Sequence, residues 1–113
     1  MEMAKEAVLL RIFTGEDHEF GGRPLYEAIV LKAREMQLAG STVFRGAMGF
    51  GLKSQLHTTK ILRLSDDLPV IVEIVDQEEK INGFLPALEE MMSSGLVTLE
   101  KVQVLQYGQV KNS

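Results

Sequence analysis

Residues 49–51 read Gly-Phe-Gly, and Lys53 follows two positions later; this is the stretch of the 113-residue chain best suited to hold an anion. Glycines let backbone N–H groups approach a negative group closely, and a nearby ammonium neutralises it. Arg45 lies on the run leading into that turn, where its guanidinium meets either the same anion or an acidic side chain across a subunit contact. Arg11 sits among apolar neighbours, and a guanidinium there needs a partner to offset a desolvation cost of roughly several kcal/mol. Glu73, the one acid in another apolar run, is the partner the pattern assigns. Lys60 and Arg63 are basic residues within reach of a phosphate or simply solvated. His18 and His57 are the only imidazoles; His18 stands beside Glu16, Asp17 and Glu19, an acidic surface turn that fits no standard metal spacing. No Gly-x-Ser-x-Gly, His-Glu-x-x-His or phosphate-binding Walker loop occurs and the carboxylates are scattered, so a binding protein is expected rather than an enzyme.

The composition narrows the classes further. Hydrophobic residues make up 45% and charged residues 25%, the range of one globular domain, taken as residues 1–113. A domain of this size buries roughly 65% of its unfolded surface, so association between subunits is expected to add stability. The net charge of −4, from 12 basic and 16 acidic side chains, argues against a nucleic-acid partner. The absence of cysteine excludes disulfides and thiolate metal sites and is compatible with a cytoplasmic location. No run approaches the roughly 18 apolar residues of a membrane span, so neither insertion nor a signal peptide is expected.

These residues must be positioned by alternating elements. Residues 7–14 put Val8, Leu10 and Ile12 on one side and Leu9, Arg11 and Phe13 on the other, the pattern of a central strand. A turn over 15–22 and Pro24 open a helix over 25–39, with Gly40 as its stop. Strands are predicted over 41–48 and over 70–75, the latter almost wholly β-branched, with a short alternating run over 60–64 between them. Asp76 and Glu79 form an N-terminal capping pattern for a second helix. Pro86 predicts a kink or a division within it, Gly95 its end, and a last strand covers 101–107. The order strand, helix, strand, strand, helix, strand predicts an α+β ferredoxin-like βαββαβ sandwich, an antiparallel sheet with both helices on one face. Its other face carries Leu9 and Phe13 and calls for symmetric association.

The segment "GSTVFRGAMGFG" over 40–51 resembles the PII signal transducers where their second strand enters the base of the T-loop, and "LPVIVEIVD" over 68–76 resembles their third strand. Together with "LRIFTGEDHEFGGRPLYEAIV" from Leu10 and "GLVTLEKVQVL" ending at Leu105, the chain is most similar to the PII-like family known as domain of unknown function 190. The resemblance implies a homotrimer with a cleft between neighbours where PII relatives hold an adenine nucleotide. ATP, ADP or AMP is therefore the ligand class implied, with Arg45, Gly49, Phe50, Gly51 and Lys53 as binding residues and no required cofactor. It further implies signalling through ordering of a T-loop, here shortened to 52–68, toward an unknown protein partner such as a membrane transporter. The usual tyrosine modification site is missing from that loop, and "MMSSGLVTLEKVQV" replaces the basic phosphate-gripping B-loop. Two other readings stay open: a trimeric metal-tolerance-like protein, and a structural partner-binding trimer with no ligand.

Overall fold

A computed structural model describes residues 5–50 and 68–108. The long strand β1 (Lys5–Gly15) is followed by a two-residue hairpin, β2 (Glu19–Phe20) and β3 (Arg23–Pro24), and by helix α1 (Leu25–Glu35). Strand β4 (Thr42–Arg45), strand β5 (Pro69–Asp76), helix α2 (Glu78–Met91) and strand β6 (Leu96–Val104) complete the chain order. The four longer strands form one sheet in the order β4-β5-β1-β6, with every neighbouring pair antiparallel. This is the predicted ferredoxin-like arrangement, and it places β1 and β5 at the centre.

The alternation read from the sequence produces the two layers. Val8, Leu10 and Ile12 of β1 and Val70, Val72 and Ile74 of β5 are buried on the side that meets Leu25, Ile29 and Ala33 of α1 and Ile81, Phe84, Leu88 and Met91 of α2. Each large side chain withdrawn from water in this way contributes about 1.5–3 kcal/mol. The other face carries Leu9, Arg11 and Phe13 opposite Val75, Glu73 and Ile71, with Phe44 and Leu96 beyond them. Phe44 and Leu96 are exposed at 48% and 56%, so the apolar part of this face, which also carries Thr42, Thr98 and Glu100, is uncovered within one subunit.

Five local expectations are corrected. Helix α1 ends at Glu35 rather than near Gly40, because Gln37 takes a left-handed backbone at φ 62°. Its neighbours close a Schellman turn, with the Leu38 N–H donating to the Ala33 carbonyl and the Gln37 N–H to the Arg34 carbonyl, both at 3.0 Å. Leu38 still packs against the core from outside the helix, which is why the helical periodicity runs past the true end. Strand β4 stops at Arg45 instead of continuing to residue 48.

The expected capping box does not form, since the cap of α2 is Gln77 and its side chain makes no capping bond. Asp76 instead accepts bonds from the Ala39 and Gln77 N–H groups at 2.8 and 2.7 Å. Of the kink or division expected at Pro86 the division is absent: α2 runs unbroken through it, and Pro86 is exposed, as are Asn82 and Gly83 one turn before, where a glycine leaves open space. Strand β6 begins at Leu96, five residues before the predicted start, and its mostly exposed edge position hides the alternation that marks a half-buried strand. The short alternating run over 60–64 lies outside the described residues.

Candidate functional site

At one end of the sheet β1 and β4 finish and β5 begins. Two consecutive carbonyls root β5 there: the Glu16 N–H donates to the Leu68 carbonyl at 3.0 Å, and the Gly46 N–H donates to the Pro69 carbonyl at 2.7 Å. Gly46 is required by the closeness of this junction, because a Cβ in its place would stand 2.5 Å from Pro69 Cγ. Gly49 stacks on the same ring, where a Cβ would lie 3.1 Å away. The glycines of this turn thus fit the backbone against Pro69, whatever else they do.

Arg45 is opposite Val70 in the register, which directs it to the helix side of the sheet. There its Nη2 donates to the Tyr26 hydroxyl of α1 at 3.2 Å, and its Nε lies 3.1 Å from Glu16 Oε1. The Tyr26 hydrogen bond first, and the Glu16 charge second, push the Arg45 pKa above its already high ordinary value. Its side chain is nevertheless 61% exposed, while that of Glu16 is 24% exposed. The result is a permanent cation, oriented by two partners and open to solvent.

The same end of the sheet holds further polar groups. Thr14, buried, has its hydroxyl 3.0 Å from His18 Nδ1, and the His18 carbonyl accepts the first N–H of α1, from Leu25, at 2.7 Å. His18 is therefore part of the turn that starts the helix. Among the described residues no group of three or more histidine, cysteine, aspartate or glutamate side chains is placed to hold a metal ion.

Of the residues assigned from the sequence, Arg45 and Gly49 stand within this end cluster, and Phe50 follows with 79% of its surface exposed. Gly51, Lys53, His57, Lys60 and Arg63 lie outside the described residues. The pairing of Arg11 with Glu73 is present, at 2.8 Å. Sequence reasoning misses Tyr26 and reaches Glu16 only as part of an acidic surface turn beside His18; the available signal is Arg45 itself, a cation at a strand end that must find a partner among elements folded beside it. A separate shallow depression of about 260 Å³, lined by Val30, Ala33, Arg34 and residues 38–41, lies toward the other end of β4 and contains none of these residues. No helix among the described residues is long and apolar enough to cross a membrane.

This geometry is set on a fold that recurs among PII-like proteins. The PII-like protein CPII of Thiomonas intermedia K12, solved with ADP and bicarbonate, superimposes with a TM-score of 0.59 at 20% identity, covering 92% of this chain and 93% of that one. A protein of Thermus thermophilus described as PII-like and signalling gives a TM-score of 0.61 at 17% identity, covering 89% and 91%. At the level of sequence, a UPF0166 protein of Aquifex aeolicus is 45% identical over 97 residues, 86% of this chain and 91% of the relative. A UPF0166 protein of Methanocaldococcus jannaschii is 36% identical over 100 residues, 88% and 92% of the two chains. Residues 7–104 match the DUF190 family, described as an Uncharacterized ACR, so nearly the whole sheet and both helices belong to the shared unit. With the family match and two relatives spanning most of its length, this chain is a member of the DUF190 family.

Proposed function

We propose that the protein is a PII-like regulator rather than an enzyme, one that binds a small anionic ligand, an adenine nucleotide, in a cleft between subunits. The observation that carries this reading is Arg45: a solvent-open guanidinium, fixed by Tyr26 and Glu16, immediately before a glycine turn that stacks on Pro69. Such a cation attracts phosphate oxygens without first having to be ordered. Gly49 and Phe50 belong to that turn, and Gly51 and Lys53 extend the proposed site along the chain. The ADP bound by the Thiomonas CPII, on a fold matched over nine-tenths of this chain, supports an adenine nucleotide as the ligand.

The open sheet face supplies the assembly in this reading. Leu9, Phe13, Ile71, Phe44 and Leu96 surround the Arg11–Glu73 pair, and three copies packed through these faces form a homotrimer whose seams are the clefts. Occupancy of the cleft is passed through the segment 52–68 to a protein partner, a membrane transporter being one fit.

Calorimetry with ATP, ADP and AMP tests the nucleotide. Binding of ADP, weakened about tenfold or more by Arg45→Ala, is expected where a charge-assisted bond to phosphate is lost. No heat and no thermal shift with any of the three at millimolar concentration overturns it. Light scattering tests the assembly: a particle of one 12.6 kDa subunit at micromolar concentration removes the cleft altogether.

A further inference from the structure

We infer that Glu16 is a specificity-determining residue of this site, a built-in competitor whose carboxylate holds the Nε edge of the Arg45 guanidinium against an anionic ligand that binds side-on. The inference rests on the proposed reading that Arg45 receives the ligand. Binding is then an exchange, in which one carboxylate leaves and another anion arrives.

Three observations carry it. Glu16 Oε1 stands 3.1 Å from Arg45 Nε, while Tyr26 holds Nη2 at 3.2 Å, so the Nε edge of the guanidinium, where an anion binds side-on, is already taken by the protein's own oxygens. The two partners differ in how they are held. Glu16 is anchored through its backbone N–H to Leu68 and its side chain is 24% exposed, whereas the Arg45 side chain is 61% exposed and accessible to a solute. Finally, the ion pair is only partly shielded, and pairs of that kind shift an equilibrium by about 1.4-fold to fivefold, weak enough for a ligand to displace.

The exchange discriminates by charge. Acetate or another monocarboxylate offers Arg45 no more than Glu16 already does and gains nothing by replacing it. A phosphate chain carries a larger charge and more acceptor oxygens, so it profits from the swap. Glu16 therefore sets a threshold that multiply charged ligands pass and small monoanions do not. The Glu16 side chain can be changed without losing the Leu68 bond, because that bond comes from the backbone.

The test is ADP calorimetry on wild type, Glu16→Gln, Arg45→Ala and the double variant, at two salt concentrations, with thermal melts to show that each is folded. Glu16→Gln is expected to tighten ADP binding about twofold to fivefold, the value of a released competing pair. It is also expected to make binding more salt-sensitive, since an ion pair is then gained where formerly one was traded. In the Arg45→Ala background the same substitution is expected to change nothing, because the competition acts through that guanidinium. ADP binding that Glu16→Gln leaves unchanged or weakens overturns this inference and leaves the nucleotide reading standing. A tightening that survives in Arg45→Ala also overturns it, by showing simple repulsion of the ligand. Absence of ADP binding in every protein, Glu16→Gln included, overturns both readings. If Glu16→Gln fails to fold, Glu16→Ala is judged by the same outcomes.

Discussion

Arg11 and Glu73 face each other across β1 and β5, with Nε 2.8 Å from Oε2, in the middle of the sheet face opposite the helices. Both side chains are about a third exposed, at 33% and 28%, and they stand among Leu9, Phe13, Ile71 and Val75. Neither charge has a comparable alternative partner in its own strand. The pair is thus the charged centre of a polar row that continues into Thr42 and Thr98, with the apolar pairs Leu9–Val75 and Phe13–Ile71 on either side.

Removing one member leaves the other charge half-buried without its counterion. Arg11→Leu or Glu73→Leu alone is expected to cost about 1–3 kcal/mol, between the values for exposed and for fully buried pairs. The double variant is expected to recover most of that loss, because two leucines suit this apolar face. Urea denaturation of the four proteins gives the coupling, and additive losses would remove the pair from any structural role.

Gly46 and Pro69 make a second checkable contact. A methyl group at position 46 would come within 2.5 Å of the proline Cγ, so Gly46→Ala must push β4 away from β5 at the candidate site. A loss of about 1–3 kcal/mol is expected, in the range for overpacking. Pro69→Ala in the same chain removes the obstructing ring and is expected to restore most of it. Equal melting temperatures for Gly46→Ala and wild type would show that the junction yields freely.

Gly95 connects α2 to β6 with φ 127°, and a Cβ there would stand 2.7 Å from both the Phe13 carbonyl oxygen and the Met92 Cε. Backbone conformation and sterics both reject a side chain. Gly95→Ala is expected to lose about 2–4 kcal/mol, read by thermal or urea unfolding, since each effect alone costs about 1–3 kcal/mol. A change within experimental error would mean that this connection rearranges cheaply.

The raised pKa of Arg45 has a definite sign. A folded-state pKa above the unfolded value gives a contribution present in full below the unfolded pKa and lost only as pH rises through the folded one, which for this guanidinium lies in strong alkali. The Arg45-dependent part of ADP binding, the difference between wild type and Arg45→Ala, is therefore expected to stay flat from about pH 7.5 to about pH 9. A steep fall over that interval, followed by calorimetry, would assign the ligand to a titrating group instead.

The central sheet is legible because its strands obey a simple rule. Leu10 and Ile12 alternate with Leu9 and Phe13, β5 is β-branched almost throughout, and the lone charges Arg11 and Glu73 in two apolar runs have few places to go but to each other. The elements that mislead are those whose exposure departs from their type. Leu38 packs into the core after its helix has ended, and Leu96 and Leu99 lie exposed on an edge strand, so hydrophobicity marks neither boundary. The candidate site is half legible. Arg45 and Gly49 stand out by residue type and place, whereas Tyr26 and Glu16 come from a helix and a turn far away in sequence, and only folding brings them to Arg45.

Ala39 is exposed, yet neither of its backbone polar groups is left to water: Asp76 takes its N–H and the Tyr107 hydroxyl donates to its carbonyl at 2.9 Å. The link between α1 and β4 is in this way stapled from the end of β5 and from beyond β6, two remote stretches of sequence. It is a surface connection that resists being cut or lengthened, and a rearranged chain with new ends at this point would forfeit both staples at once.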